Sequence, residues 1–302
     1  MPTVASLHVY PVKGCRGFSP ASWSVRTTGL AFDRAWMIVD ESTGAFVSQR
    51  TIPAMARLRA TISNDDSRSD SSRSDYSRLD IAGEDWDWSI DLDSTQPTTQ
   101  PTTQPTTHPI RKTSIWGDVV MANDLGDDIA QRLRKQLGRK VRLVQFPNEH
   151  RRAVDPLWSG DDVSKTQFAD FGPMLITTMA SLDDLNGRLI ERGQLPVPME
   201  RFRANIVIQD DLPAWDEDHI QSLTTDTGHS LEFIKPCARC KVVEVDQQTG
   251  VSMKDGVLDL LASFRNLTLK HGKSGLIFGM DALARNDWPG PIEVGMRLTV
   301  GR

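Results

Sequence analysis

The first third of this chain is written in short alternating apolar runs, each closed by turn residues, and that spacing constrains its fold more than any other feature. ASLHVYPVKG (5–14) alternates and stops at Pro11 and Gly14; SWSVRTTGL (22–30), RAWMIVD (34–40), GAFVSQR (44–50), RLRATISN (57–64) and RLDIAGEDWDWSIDL (78–92) follow. Alternation at a period of two is the mark of a strand with one face inward. ESTG (41–44) reads as a hairpin turn closed by Gly44. Turn signals recurring at roughly 8–12 residues predict a small barrel or sandwich over the first ~115 residues.

Two inserts interrupt that pattern. NDDSRSDSSRSDYSR (64–78) is polar and Ser-rich, and STQPTTQPTTQPTTHP (94–109) repeats a Gln-Pro-Thr-Thr unit. Neither can bury enough apolar area to offset the entropy of ordering, so both are expected to be disordered surface loops. Beyond Trp116 the period changes. NDLGDDIAQRLRKQLG (123–138) carries a helical stripe at 125, 129, 133 and 137, ended by Gly138. SLDDLNGRLIERG (181–193) is a second helix, with Ser181 and Asp184 as a capping-box start and Gly193 as its stop. VLDLLASFRNL (257–267) is a third, while KVRLVQF (140–146), DFGPMLITT (170–178), FRANIVIQ (202–209), LEFIKP (231–236) and KVVEVD (241–246) read as strands and PIEVGMRLTVG (291–301) as a hairpin around Gly295. The fold class is therefore mixed and β-rich (α+β): a β-barrel-like domain over 1–118, then a β-rich domain with a few helices over 119–302.

Composition narrows the function. At 38% hydrophobic and 25% charged residues the 302-residue chain suits a soluble protein with a proper core, and its net charge of −5 argues against nucleic acid as partner. Three cysteines do not make a disulfide scaffold, and the N-terminus MPTVASLHVYPVKG lacks the charged-then-apolar pattern of a signal peptide. No apolar run approaches the ~18 residues of a membrane span. The expected compartment is the cytoplasm.

Chemistry concentrates in IKPCARCKVVEVDQQTG (234–250), where Cys237 and Cys240 stand three apart among Lys235, Arg239 and Lys241. A structural zinc site needs a second close pair of ligands, and neither Cys15 nor the six histidines supply one. A thioredoxin-like redox pair opens a helix, whereas this pair precedes a run that reads as a strand. Two readings stay open: a small buried cysteine with a satisfied neighbour, or one thiolate acting as a soft metal ligand. In an extended segment residues three apart point to opposite faces, so one cysteine can face a site while the other packs away from it. The three neighbouring cations are expected to lower the thiol pKa.

KPCARCKVVEVDQQTG resembles the signature of the MOSC superfamily. YPVKGCRG (10–17), GLAFDRAWMIVD (29–40), FVSQRTIPAMARL (46–58), FRANIVI (202–208) and PGPIEVGMRLTVG (289–301) match in order. Together they are similar to the N-terminal MOSC β-barrel plus MOSC domain arrangement of the amidoxime-reducing and hydroxylaminopurine-detoxifying proteins. The resemblance implies that Cys240 ligates the molybdenum of a molybdopterin cofactor, whose dithiolene supplies further sulfur. It implies cofactor contacts from Lys13, Gly14, Arg34, Arg203, Asn205 and Arg239, and, through the loop before it, Thr177. Relatives often have serine after the lysine; Gly14 leaves only a backbone amide there. On an extended FRANIVI, Arg203 and Asn205 would share a face, the fork suiting a phosphate and the amide a pterin edge.

The implied activity is a molybdenum cofactor-dependent oxidoreductase that reduces a small N-hydroxylated substrate (an amidoxime, hydroxylamine or N-hydroxy base) to the amidine or amine and water. Two electrons would come from a separate electron-donor protein. The alternative is a non-catalytic carrier of the molybdenum cofactor or of sulfur on Cys240. Pyridoxal phosphate is associated with the superfamily through cofactor sulfurases, which attach such a domain to a pyridoxal-phosphate module; the length of this chain leaves no room for one. The role of Cys237 is not assigned by the resemblance.

Overall fold

The computed structural model describes residues 1–63, 78–92, 108–148, 150, 152–160, 164–209, 212–254, 256–270, 272–285, 288 and 290–302. The inserts at 64–78 and 94–109 lie outside the described residues except at their ends, Arg78, His108 and Pro109. The described chain is strand-rich with four helices, and it divides into two compact units. The larger holds Met1–Val9, Ser19–Asp33 and Arg151–Arg302; the smaller holds Tyr10–Phe18 and Arg34–His150.

An eight-stranded sheet forms the larger unit. Its order is Thr3–Leu7, Ile206–Gln209, Met174–Thr178, Ser274–Arg285, Ser230–Ala238, Ser222–Thr225, Leu298–Gly301, with Asn266–Thr268 added to Ser274–Arg285. The last strand comes back to the first: Leu298 N donates to Pro2 O at 2.9 Å and Val4 N to Met296 O at 3.0 Å. The sheet is thus a nearly closed barrel, the arrangement that leaves the fewest unpaired edges. Helices Met179–Glu191 and Val257–Phe264 bury their predicted stripes, Leu182, Leu185 and Leu189 against Val257, Leu260 and Leu261, with Val243, Phe202 and Phe278 in the same cluster. The start of the first of these helices differs from the expected one. Its cap is Thr178, whose hydroxyl accepts from Ser181 N at 3.2 Å, so Ser181 sits inside the helix.

GAFVSQR makes only isolated bridges at Ala45 and Phe46, and VLDLLASFRNL leaves its helix after Phe264 to enter the strand Asn266–Thr268. Three further segments depart from the sequence reading, each because of a tertiary partner. Only Ile206–Gln209 of FRANIVIQ is strand; Met199–Phe202 is a 3-10 turn and Arg203 is left-handed, at φ 55°. Phe202 is drawn inward to stack on Phe278 with ring centres 3.9 Å apart, and the Asn205 carboxamide takes the Leu175 N–H (3.1 Å) that a ladder would use. Lys241–Glu244 is likewise a 3-10 turn and not a strand. Strand register along Ser230–Ala238 ends at Ala238 against Ile277, with a last bond across from Arg239 N to Leu276 O at 2.7 Å; beyond it the turn closes on itself, Val243 N to Cys240 O and Val245 N to Val242 O, both at 3.1 Å. Finally, residues 291–301 are not a hairpin. Pro291–Glu293 pairs with Ser22–Arg26 and Leu298–Gly301 with Ser222–Thr225, on either side of a turn at Gly295.

The smaller unit contains a five-stranded sheet in the order Val12–Lys13, Trp36–Asp40, Val141–Gln145, Asp118–Asp124, Ile110–Ile115. A three-stranded antiparallel sheet, Arg59–Ser63, Arg78–Ala82 and Asp87–Asp91, accompanies it. Helix Asp127–Leu137 buries Ile129, Leu133 and Leu137 and ends at left-handed Gly138, as its stripe predicts. The ESTG turn is held by Asp40, whose Oδ1 accepts from Ser42 N (3.1 Å) and Thr43 N (3.0 Å).

Candidate functional site

In the larger unit the Cys-x-x-Cys straddles the end of a strand. Cys237 is the last but one residue of Ser230–Ala238, and Cys240, in extended conformation, precedes the Lys241–Glu244 turn. The two cysteines differ in surroundings. Cys237 packs against Leu175, Ala204 and Val207 and accepts from Arg239 Nη1 at 3.1 Å. No hydrogen bond reaches the sulfur of half-buried Cys240 from the described residues. Burial pushes the Cys237 thiol up to about 12, the Asp281 carboxylate adds to the rise, and Arg239 and Lys235 only oppose it. The expected lowering by neighbouring cations therefore fails at Cys237, where desolvation outweighs them.

Arg239 turns inward and joins this segment to the Met199–Phe202 turn. Its Nη2 donates to Phe202 O at 2.6 Å, the carbonyl of the Phe202–Arg203 peptide, while its buried Nε has no partner among the described residues. Arg203, almost fully buried, donates from Nη1 to Gln247 Oε1 at 3.4 Å, and Gln247 is fixed in turn by Nε2 to Val245 O at 3.0 Å. The left-handed backbone and not an alternating strand face sets the direction of Arg203, so Arg203 and Asn205 do not share a strand face.

Thr177 lies in the strand Met174–Thr178 and Asn205 just before the strand Ile206–Gln209, with their side chains used internally. The Thr177 hydroxyl donates to Met199 Sδ at 3.3 Å. Asn205 accepts from Leu175 N and donates from Nδ2 to His8 O at 3.2 Å, cross-linking three segments of the chain. FGM (278–280) lies within the strand Ser274–Arg285, where Gly279 adopts φ +80°.

Lys13, Gly14 and Arg34 fall in the smaller unit, close to one another. Lys13 pairs in parallel register with Met37, and its ammonium stands 5.6 Å from the centre of the Phe46 ring. Arg34 is left-handed (φ 50°), its N bonds Tyr10 O at 2.8 Å, and its guanidinium lies 4.6 Å from the Tyr10 ring centre. Gly14, at φ 80°, offers its carbonyl to Gln49 Nε2 at 2.7 Å, and a Cβ there would stand 2.9 Å from Met55 Cε. At that positive φ glycine avoids the backbone strain that a serine would carry.

Two residues that the sequence reading missed belong to the neighbourhood of the Cys-x-x-Cys in the larger unit. Gln247 orients Arg203, and Asp281, paired in register with Lys235, is buried beside Cys237. Neither carries a local signal: a lone Gln in a turn and an Asp in an apolar strand acquire their roles from strand register.

Comparison with known proteins accounts for nearly the whole chain. The model of the MOSC N-terminal beta barrel domain matches residues 1–140 and that of the MOSC domain residues 163–299. Mitochondrial amidoxime-reducing component 1 of Mus musculus is 29% identical over 97% of this chain and 80% of its own length. Mitochondrial amidoxime reducing component 2 of Macaca fascicularis is 30% identical over 87% of this chain and 72% of its own. Molybdenum cofactor sulfurase of Oryza sativa subsp. japonica is 27% identical over 91% of this chain, which spans 32% of that longer protein. The chain belongs to the MOSC family, as a protein that joins a MOSC N-terminal beta barrel domain to a MOSC domain.

Proposed function

We propose that this protein is a molybdenum cofactor-dependent oxidoreductase that reduces N-hydroxylated small molecules (amidoximes, hydroxylamines and N-hydroxy bases) to amidines or amines. The observation that carries the reading is Cys240: a sulfur without an internal partner, next in sequence to an arginine anchored at the Phe202–Arg203 peptide, in a chain similar to amidoxime-reducing components. The donor set fits such a group. Among the described residues no cluster of three or more His, Cys, Asp or Glu can hold a metal, so a metal at Cys240 must bring its own ligands, as a dithiolene does. The unpartnered buried Nε of Arg239 is a donor in want of an acceptor.

When bound, the cofactor supplies the two-electron chemistry, and the protein supplies position and charge. Cys240 is the metal ligand in this reading. Arg239 and Arg203 hold guanidinium groups in the same neighbourhood for an anionic ligand, the second at the backbone strain of a left-handed residue. Lys13, Gly14 and Arg34 are proposed as phosphate contacts on the strength of the family match. Thr177 and Asn205, with their side chains spent inside the sheet, act by fixing the backbone of the strand Met174–Thr178. Two electrons per turnover come from a separate donor protein. The cytoplasm is the proposed compartment, supported by three cysteines that form no disulfide; no helix among the described residues is long and apolar enough to cross a membrane.

Cys240→Ala is expected to deplete molybdenum from the purified protein and abolish benzamidoxime reduction with a chemical electron donor. A variant that keeps both metal and turnover sinks the assignment. Similarity to the sulfurase supports a second reading, a carrier of the cofactor or of sulfur. Tight cofactor binding by the intact protein without benzamidoxime turnover would favour it. The chain spans about a third of that sulfurase.

A further inference from the structure

A buried polar line runs beside the Cys-x-x-Cys. Lys235 and Asp281 face each other in register, with Nζ 3.8 Å from Oδ2. The Lys235 ammonium also lies 3.9 Å from the centre of the Phe171 ring, which fixes it from a second side. Asp281 is 6% exposed, and its Oδ2 accepts no hydrogen bond from the described residues. Gly172 backs Asp281 closely, since a Cβ at 172 would stand 2.9 Å from the Asp281 Cβ. The carboxyl interacts with the Cys237 thiol, which Arg239 Nη1 holds from its other side at 3.1 Å.

We propose that Asp281 is a positioning residue: its carboxylate, fixed opposite Lys235, keeps Cys237 a neutral thiol against the Leu175–Ala204–Val207 wall and so reserves the ligand role of the Cys-x-x-Cys for Cys240. The thiolate, and not the thiol, is the nucleophile and metal ligand, so holding a proton on one sulfur of a close pair decides which sulfur reacts. The charged groups around the pair are few. Asp281, Arg239 and Lys235 act on Cys237; Lys235, Arg239 and Asp170 act on Asp281. Burial raises Asp281 to about 6 while the two cations pull it back, so at neutral pH its charge is present. That charge opposes a second negative charge at Cys237. The consequence for metal binding rests on Cys240 being the ligand; the state of Cys237 does not.

The test is alkylation of the full chain, free of cofactor, by iodoacetamide over a range of pH, with each cysteine followed by peptide mass spectrometry. In the unaltered protein Cys240 is labelled while Cys237 resists from neutral to mildly alkaline pH. In Asp281→Asn the Cys237 labelling profile moves to lower pH, its rate at a given pH rising about tenfold for each pH unit of movement, and labelling of Cys240 is unchanged. Asp281→Glu restores the original profile. Asp281→Ser, smaller and also neutral, carries the same expectation as Asp281→Asn should the latter not fold. Equal labelling of the two cysteines in the unaltered protein, or identical Cys237 profiles with and without the carboxylate, overturns the proposal. Molybdenum content is read separately, so a chain that shows the asymmetry yet binds no molybdenum removes the cofactor reading and leaves this one standing.

Discussion

Arg203 and Arg34 are two of five non-glycine residues with left-handed backbone among those described, the others being Phe32, Trp116 and Trp215. A side chain in that region costs roughly 1–2 kcal/mol, and glycine would remove the cost. Both are among the proposed cofactor contacts, and such a role would tie the strain to the direction of the guanidinium. Two variants at position 203 separate backbone from side chain. Arg203→Ala and Arg203→Gly are each expected to lose molybdenum retention. In urea unfolding Arg203→Gly is expected to be the more stable of the two by about 1 kcal/mol, because alanine keeps the strain and glycine does not. At an ordinary helical position the order reverses, with alanine ahead by up to about 1 kcal/mol, so alanine ahead of glycine would refute the strained geometry. Equal metal retention by all three proteins would remove Arg203 from the site.

The strand Ser274–Arg285 shows the same logic on a longer segment. It is the hub of the larger unit, paired with Met174–Thr178, Ser230–Ala238 and Asn266–Thr268. Gly279 within it lies at φ +80°, and a Cβ there would meet Thr177 Cγ2 at 2.6 Å and Ile176 O at 2.8 Å. Gly279→Ala is expected to destabilise the protein by about 2–5 kcal/mol, the sum of left-handed strain and overpacking. Gly295→Ala, at φ +85° with nothing within 4 Å, is expected to lose only the backbone part, about 1–2 kcal/mol. Matching losses from the two in chemical denaturation would show that the close approach at Gly279 is absent. The helices were legible in the sequence because a 3.6-residue stripe with a glycine stop is local information, and Leu182, Leu185 and Leu189 are buried as that stripe requires. KVVEVD misled because alternating valines suit either a strand or a tight turn, and what decided was the end of pairing at Ala238. FRANIVI misled because Asn205 diverts the Leu175 N–H, a bond made 30 residues away in the chain. Within the site Cys240 could be singled out by its motif, whereas the value of Asp281 depends on its register with Lys235, which no window of sequence contains.

Chain order and compactness do not coincide in this molecule. The sequence reading divides it after residue 118, but Thr3–Leu7 pairs with Ile206–Gln209 and Ser22–Arg26 with Pro291–Glu293, all inside the larger unit. A fragment 119–302 would therefore expose the edge of Ile206–Gln209 and lose the buried Val4 and Leu7. It would also leave the barrel open where Pro2 and Val4 meet the residues around Leu298. Burying a Val or Leu side chain contributes about 1.5–3 kcal/mol, against a typical domain stability of only about 5–15 kcal/mol. Residues 119–302 alone are accordingly expected to be aggregated or to show no cooperative melt. Joining residues 1–33 ahead of 151–302 through a flexible linker restores every strand pair of the larger unit and is expected to recover a cooperative transition in calorimetry. The same hybrid, lacking Lys13 and Arg34 through their replacement by alanine and deletion respectively, should then fold yet retain less of the cofactor than the full chain. A cooperative melt from 119–302 by itself would show that the N-terminal strands are additions to a fold already complete without them.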